Sequence, residues 1–314
     1  MSTVPPDARR WSADNLRTLL LVTVVAIAVC WLLFERMQSR REMLAAKRIE
    51  AYGDLDFGTT TTFYSRDGRP WWERIWDKLR GPRVVFAQGS ETMTDVTPLV
   101  AFRSLDHLRL RHSQVSDLTP LAEMPGVKYL DVGETPVADI GPVARHGRLE
   151  VIYAPRCKVH DLTSLAHCTN LNFINLEQTP VRDLSPLAAL TKLTDLYLAN
   201  THVRDLTPLA GLTSLTNLDL EGTEVRDVSP LTGLTNLESL KLLDTNVEDC
   251  SALAGLTRLK MLNLDGTHVS DARALAALTN LESLWLRRTP VSDEQIAELR
   301  RALPGCSVAD GNDP

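Results

Sequence analysis

The chain lacks the local signatures that announce most enzymes. It has no glycine-rich loop to cradle a phosphate, no His-Glu-x-x-His pair and no serine nucleophile elbow. No Lys/Arg stripe interleaved with aromatics is present, which argues against nucleic acid as a partner. Five cysteines in 314 residues do not make a disulfide framework, and the redox compartment stays open. Aromatic residues make up only 5 %, so any place where several gather is informative. These absences lead us to expect no enzyme, no catalytic residues, no cofactor and no metal.

What the chain has in abundance is repetition. Asp95, Asp117, Asp139, Asp161, Asp183, Asp205, Asp227, Asp249, Asp271 and Asp293 stand 22 residues apart without a slip. Neither a helix nor a strand has that period, so each aspartate marks the same point in one repeated unit. The unit reads LTDLYLANTHVRDLTPLAGLTS over residues 193–214, and its leucines return at Leu215, Leu218 and Leu220 and again at Leu237, Leu240 and Leu242. Leu196 and Leu198 alternate with Asp195, Tyr197 and Ala199, the mark of a strand with one buried face. One coil cannot bury its leucines alone, but stacked coils share a continuous core. The LTPLAGL stretch is too short for an ordinary helix and predicts a 3₁₀ turn on the opposite side. The aspartate before it can accept from the backbone N–H groups that open the turn. Asp117, Asp139, Asp161, Asp183, Asp205, Asp227, Asp249 and Asp271 are therefore expected to form a structural ladder, the alternative being a calcium or catalytic array.

A period of 20–29 residues with this leucine spacing is the leucine-rich-repeat signature. The phrase LxPLAxLTxLxxL, as at Leu206–Leu218, resembles the short repeats of bacterial internalin-type proteins. Thr179, Thr201, Thr223, Thr245, Thr267 and Thr289 stand where those repeats usually carry asparagine. The wider layout, with an apolar N-terminal segment, a PWW motif and an LPGC ending, resembles bacterial membrane-anchored leucine-rich-repeat proteins. The resemblance implies an α/β solenoid: a curved stack with a parallel β-sheet on one face, short 3₁₀ or helical turns on the other, and helical caps. One N-terminal transmembrane helix would complete it. We divide the chain into a short tail (1–17), a signal-anchor helix (18–35), a juxtamembrane helix and linker (36–69), an N-terminal cap with a Trp-rich helix and leading strand (70–90), 22-residue repeats (91–293), a C-terminal cap (294–308) and a polar tail (309–314).

The anchor rests on Leu19 to Phe34, apolar except for Thr23 and flanked by Arg17 and by Glu35–Arg36. That run falls just short of a usual span, and snorkelling arginines make up the difference. We expect an uncleaved single-pass anchor, with a cleaved signal or a soluble core helix as alternatives. Three basic residues precede the run and five follow it, which leans toward repeats facing the cytoplasm. Short N-terminal anchors also export long domains, so the side stays open. Trp72, Ile75, Trp76 and Leu79 predict an apolar helix stripe that either caps the repeats or lies on the membrane. Phe86 is expected in register with Leu108, and Cys306 with Leu284; Cys157, Cys168 and Cys250 occupy core columns, and all four cysteines read as buried small hydrophobes.

Residues 1–90 hold 14 Lys/Arg and 10 Asp/Glu, net +4, whereas residues 91–314 hold 20 and 30, net −10. The ten ladder aspartates account for that whole excess, so the acidity is architectural. Function must then sit where the units differ. Tyr129, Tyr153, Phe173 and Tyr197 are expected to form one exposed aromatic patch on the strand face. Asp195, Asp219, Glu221, Asp244 and Asp265 would add an acidic stretch, Arg287 and Arg288 a basic last coil, and Lys241 and Trp285 share the same face. We read these as the ligand-binding surface of a membrane-anchored interaction scaffold for a protein or peptide. Cell-envelope adhesion or carbohydrate binding is the alternative, and His202 and His268, about 14 Å apart at sheet spacing, are too distant to share a metal.

Overall fold

In the computed structural model, the residues described are 29–38, 40, 41, 44, 55–59 and 84–311. Residues 55–57 and 85–311 belong to one compact unit, and residues 29–38 to another. Twelve short strands run in sequence order through one sheet. They are β1 (Leu55–Thr59), β2 (Val84–Gly89), β3 (His107–Arg109), β4 (Tyr129–Asp131), β5 (Val151–Tyr153), β6 (Phe173–Asn175), β7 (Asp195–Tyr197), β8 (Asn217–Asp219), β9 (Ser239–Lys241), β10 (Met261–Asn263), β11 (Ser283–Trp285) and β12 (Ser307–Ala309). From β2 to β12 every neighbouring pair is parallel, and between β3 and β11 the register advances by one 22-residue unit per strand. The middle residue of each strand points into the core: Leu108, Leu130, Ile152, Ile174, Leu196, Leu218, Leu240, Leu262 and Leu284 are fully or almost fully buried. On the far side, Leu99, Leu121, Leu165, Leu187, Leu209, Leu231, Leu253 and Leu275 close the core from 3₁₀ turns. Proline stands near the start of most of these turns, where no intrahelical N–H is needed.

Three polar columns fix the path of each coil. The first is the aspartates. Oδ1 of Asp95, Asp117, Asp139, Asp161, Asp183, Asp205, Asp227, Asp249 and Asp271 accepts from the N–H two residues on, at 2.7–3.1 Å. The acceptor stands one residue ahead of the cap position, as in an Asx turn. Asp293 departs from the series: it begins the ten-residue helix Asp293–Ala302, and Ser292 caps that helix by accepting from Gln295. The second column is threonine. The Oγ1 of Thr135, Thr179, Thr201, Thr223, Thr245, Thr267 and Thr289 donates to the carbonyl three residues back at 2.6–2.7 Å. Cys157, on the same rung, donates its S–H to the Ala154 carbonyl at 3.0 Å. The third column is conformational: His112, Glu134, Arg156, Gln178, Asn200, Asp244 and Arg288 have φ of +52° to +63°, and Gly222 and Gly266 complete the series. Each coil therefore makes one left-handed step just past its strand.

The ends revise several expectations. No helix among the described residues is long and apolar enough to cross a membrane. The residues described near Leu19–Phe34, which are 29–38, 40, 41 and 44, are helical and include Glu35 and Arg36. The expected single-pass membrane localisation is corrected accordingly. Residues 18–28 of that segment and the Trp-rich helix over 70–83 lie outside the described residues. A strand, β1, occurs where only a linker was expected. In β2 it is Ala87, fully buried, that pairs with Leu108, while Phe86 pairs with His107. The two residues differ by one step, which reverses which side chain faces the core. At the other end the longer helix adds two residues, so Val308 rather than Cys306 pairs with Leu284, and Cys306 is only half-buried.

Candidate functional site

The strand face is built from the first and third residues of each strand, on either side of the buried middle one. Its aromatic residues do meet. The rings of Tyr153 and Phe173 stack with centroids 6.4 Å apart, and Phe173 and Tyr197 lie tilted at 5.4 Å. Tyr129 stacks on His107 at 5.6 Å, and the Arg109 guanidinium sits 5.5 Å from its ring centre. All four aromatic residues are half-buried. Burial pushes the Tyr129 and Tyr197 hydroxyls above their ordinary range, and Asp131 and Asp195 add to it.

A pocket of about 370 Å³ opens at the N-terminal end of this run. Gln88, Arg109, Arg111, His112, Tyr129, Asp131 and Tyr153 line it. Asp131 is only 7 % exposed and accepts from Gly133 N at 3.0 Å. Burial raises its pKa even though Arg111, Arg109 and His112 oppose the shift. Arg111 donates to Glu134 at 2.8 Å and lies 5.5 Å from the Tyr153 ring centre.

The third strand position carries an alternation that sequence reading missed. Asp131, Asn175, Asp219 and Asn263 occupy every second coil, 44 residues apart, and each Oδ1 accepts from the N–H two residues on. Between them stand large residues: Arg109, Tyr153, Tyr197, Lys241 and Trp285. The signal was present in the sequence as a doubled period. It was hidden because each column was read one coil at a time.

The other expected site residues are distributed differently. Asp219 is 4 % exposed and is held by Lys241 Nζ at 2.8 Å, so neither reaches solvent as a free charge. Asp195 is half-buried and accepts from Asn217 Nδ2 at 2.6 Å and Thr194 Oγ1 at 2.7 Å. Trp285 stands four strands beyond Tyr197, roughly 19 Å at sheet spacing, and is no part of the aromatic run. The expected contrast between an acidic stretch and a basic last coil is neutralised, because Arg287 pairs with Asp265 at 2.8 Å and Arg288 with Asp244 at 3.0 Å. Glu221 remains, its carboxyl raised by burial and by Asp219. Among the described residues no cluster of His, Cys, Asp or Glu is arranged to hold a metal.

The family model for leucine-rich repeats in two copies matches residues 191–233. An internalin, InlF, from Listeria monocytogenes superposes with a TM-score of 0.63 at 26 % identity, covering 71 % of this chain and 72 % of that one. The stack is a leucine-rich-repeat solenoid. The same fold relates it, at 19 % identity and a TM-score of 0.63, to the ectodomain of the Arabidopsis thaliana receptor kinase GASSHO1/SCHENGEN3, solved in complex with Casparian strip integrity factor 2. That match covers 73 % of this chain but only 30 % of the plant one. The plant peptide hormone receptor RGFR1, in complex with RGF2, shares the fold at 16 % identity and a TM-score of 0.56, covering 69 % of this chain and 39 % of that one. No curated protein matches the chain.

Proposed function

We propose that this solenoid is a non-enzymatic interaction scaffold that binds a protein or peptide on its strand face, centred on Tyr153, Phe173 and Tyr197. One observation carries the reading: three neighbouring coils present half-exposed rings in contact with one another on the same face, in a chain that is only 5 % aromatic. A solenoid core needs nothing from these positions, since the leucine columns close it without them. Tyrosine is among the residue types enriched at the energetic hot spots of protein interfaces. The internalin and the two plant receptors share the leucine-rich-repeat architecture, and the latter were solved with their ligands bound.

The test is a comparison of wild type with Tyr153→Ala/Tyr197→Ala as bait for proteins of the native host. The double variant is expected to lose binding at least tenfold, roughly the loss of one anchor, while its melting temperature moves by less than about 3 °C. Equal capture by both baits would sink the assignment. Retention of wild type alone on cell-wall polysaccharide would transfer the surface to the carbohydrate reading.

A further inference from the structure

The alternation of small and large residues gives the strand face a pitch of its own. Tyr153 and Tyr197 flank Asn175 in the third column, and Phe173 closes the notch from the first column. Two coils earlier, Arg109 and Tyr153 flank Asp131 in the same column, and these three residues and Tyr129 line the pocket there. Notches therefore recur every second strand, about 9.6 Å apart at the usual sheet spacing. A polyproline II helix has three residues per turn and a rise of about 3.1 Å, hence a repeat of about 9.3 Å. An extended β-like ligand, at about 3.4 Å per residue with side chains alternating every second residue, presents one face every 7 Å and drifts out of step.

Two further observations point to the same ligand. Asn175 is only 5 % exposed, and its Oδ1 is taken by Glu177 N, yet among the described residues no group accepts from its Nδ2. A polyproline II backbone makes no internal hydrogen bonds, so its carbonyls are free to accept there, while proline rings pack on aromatic faces. Around Tyr197 the charge is negative: Glu177, Asp195 and Asp219 stand near it, Lys241 is already held by Asp219, and Glu221 lies near Lys241. Beside Tyr153, the Arg111 guanidinium is already paired with Glu134.

We propose that this face binds a basic, proline-rich peptide in the polyproline II conformation, laid across the strands with one ligand turn for every two coils. The inference rests on the scaffold reading above and names its ligand class. Proline rings seat against Tyr153, Phe173 and Tyr197, a ligand carbonyl accepts from Asn175 Nδ2, and Lys or Arg side chains reach Glu177, Asp195 and Glu221.

The full chain should be panned against displayed random peptides of about 12 residues, long enough to reach four notches at this pitch, with Tyr153→Ala/Tyr197→Ala as counter-selection. Enriched sequences are expected to carry proline at three-residue intervals with Lys or Arg between. In fluorescence anisotropy, (Pro-Pro-Arg)₄ should bind at least about tenfold tighter than (Gly-Ser-Arg)₄, which has the same charge, and Tyr197→Ala should erase that difference. Equal affinity of the two peptides would mean charge alone and overturns the inference. Enrichment of proline-free sequences also overturns it but leaves the binding surface standing. No enrichment over the counter-selected variant overturns it too, and the bait comparison then decides the surface reading by itself.

Discussion

Thr201→Val removes one hydroxyl from the threonine column and nothing else of comparable size. Thr201 is 2 % exposed, and its Oγ1 donates to the Leu198 carbonyl at 2.7 Å. The same carbonyl also receives Thr201 N at 3.2 Å, so the substitution weakens its satisfaction without orphaning it. A net hydrogen bond contributes about 1 kcal/mol, and a fully unsatisfied buried carbonyl costs about 1–3 kcal/mol. With one long bond retained, the expected loss is about 1–1.5 kcal/mol, or a fall in melting temperature of roughly 3–5 °C for a domain of this size. Nature has already made a partial version at Cys157, whose S–H is a weaker donor at 3.0 Å to Ala154. Cys157→Thr should therefore gain stability and Thr201→Cys should lose less than Thr201→Val. Urea titration at fixed pH measures all three. The reasoning fails if Thr201→Val is neutral while its urea slope is unchanged, because the hydroxyl would then be a passenger of the path and not one of its causes.

Other expectations are more compact. Gln178, at φ +55°, sits where L-residues are strained, so Gln178→Gly should raise stability by about 0.5–1 kcal/mol in the same titration. Gly266→Ala should do the reverse, because at φ +66° a new Cβ would collide with Asp244 Oδ1. Hydrogen bonds to Thr207 and Thr119 hold the carboxyls of Asp205 and Asp117 low, and Arg273 brings Asp271 down to about 2. Depressed folded-state values mean stability that is present above the unfolded pKa near 4 and lost as pH falls toward 2. Urea midpoints between pH 5 and 2 should show that fall, and a flat profile would contradict the ladder. Asp131 is displaced the opposite way, so Asp131→Asn, which keeps an acceptor for Gly133 N, should stabilise the protein at pH 7 and less so at pH 4. Burial pushes the Cys168 and Cys250 thiols up to about 11, so in native protein at pH 7.5 maleimide should label exposed Cys30 and spare these two until denaturant is added.

The repeat was legible because its cause is local: Leu196 and Leu198 alternate within one strand, and Asp205 bonds two residues along the chain. Registers at the ends were not, since they depend on insertions that a period cannot see. The two residues added by Asp293–Ala302 moved Val308 into the place assigned to Cys306, and a Val-Val-Phe run hid the small Ala87 at the core-facing position. The aromatic residues were found by their column, but their neighbours were not. Glu134 gathers Arg111 and His112 through a left-handed turn whose geometry leaves no mark in residue type. Asp219 and Lys241 were read as separate ligand-binding positions although they lie directly opposite on adjacent strands and hold each other. Which side chains neutralise one another is a matter of rotamers, and composition is silent on that.

The doubled period has a consequence for how such a chain can grow or shrink. Core, turn and ladder all close on 22 residues, so removing one coil leaves every buried contact type intact. Removing the coil that holds Asn175 would set Tyr153 beside Tyr197 at about 4.8 Å and close the notch between them. Removing two coils restores the alternation. The backbone can be edited in single units, but the face it presents is a cassette of 44 residues, and a lineage that keeps the face must gain or lose coils in pairs.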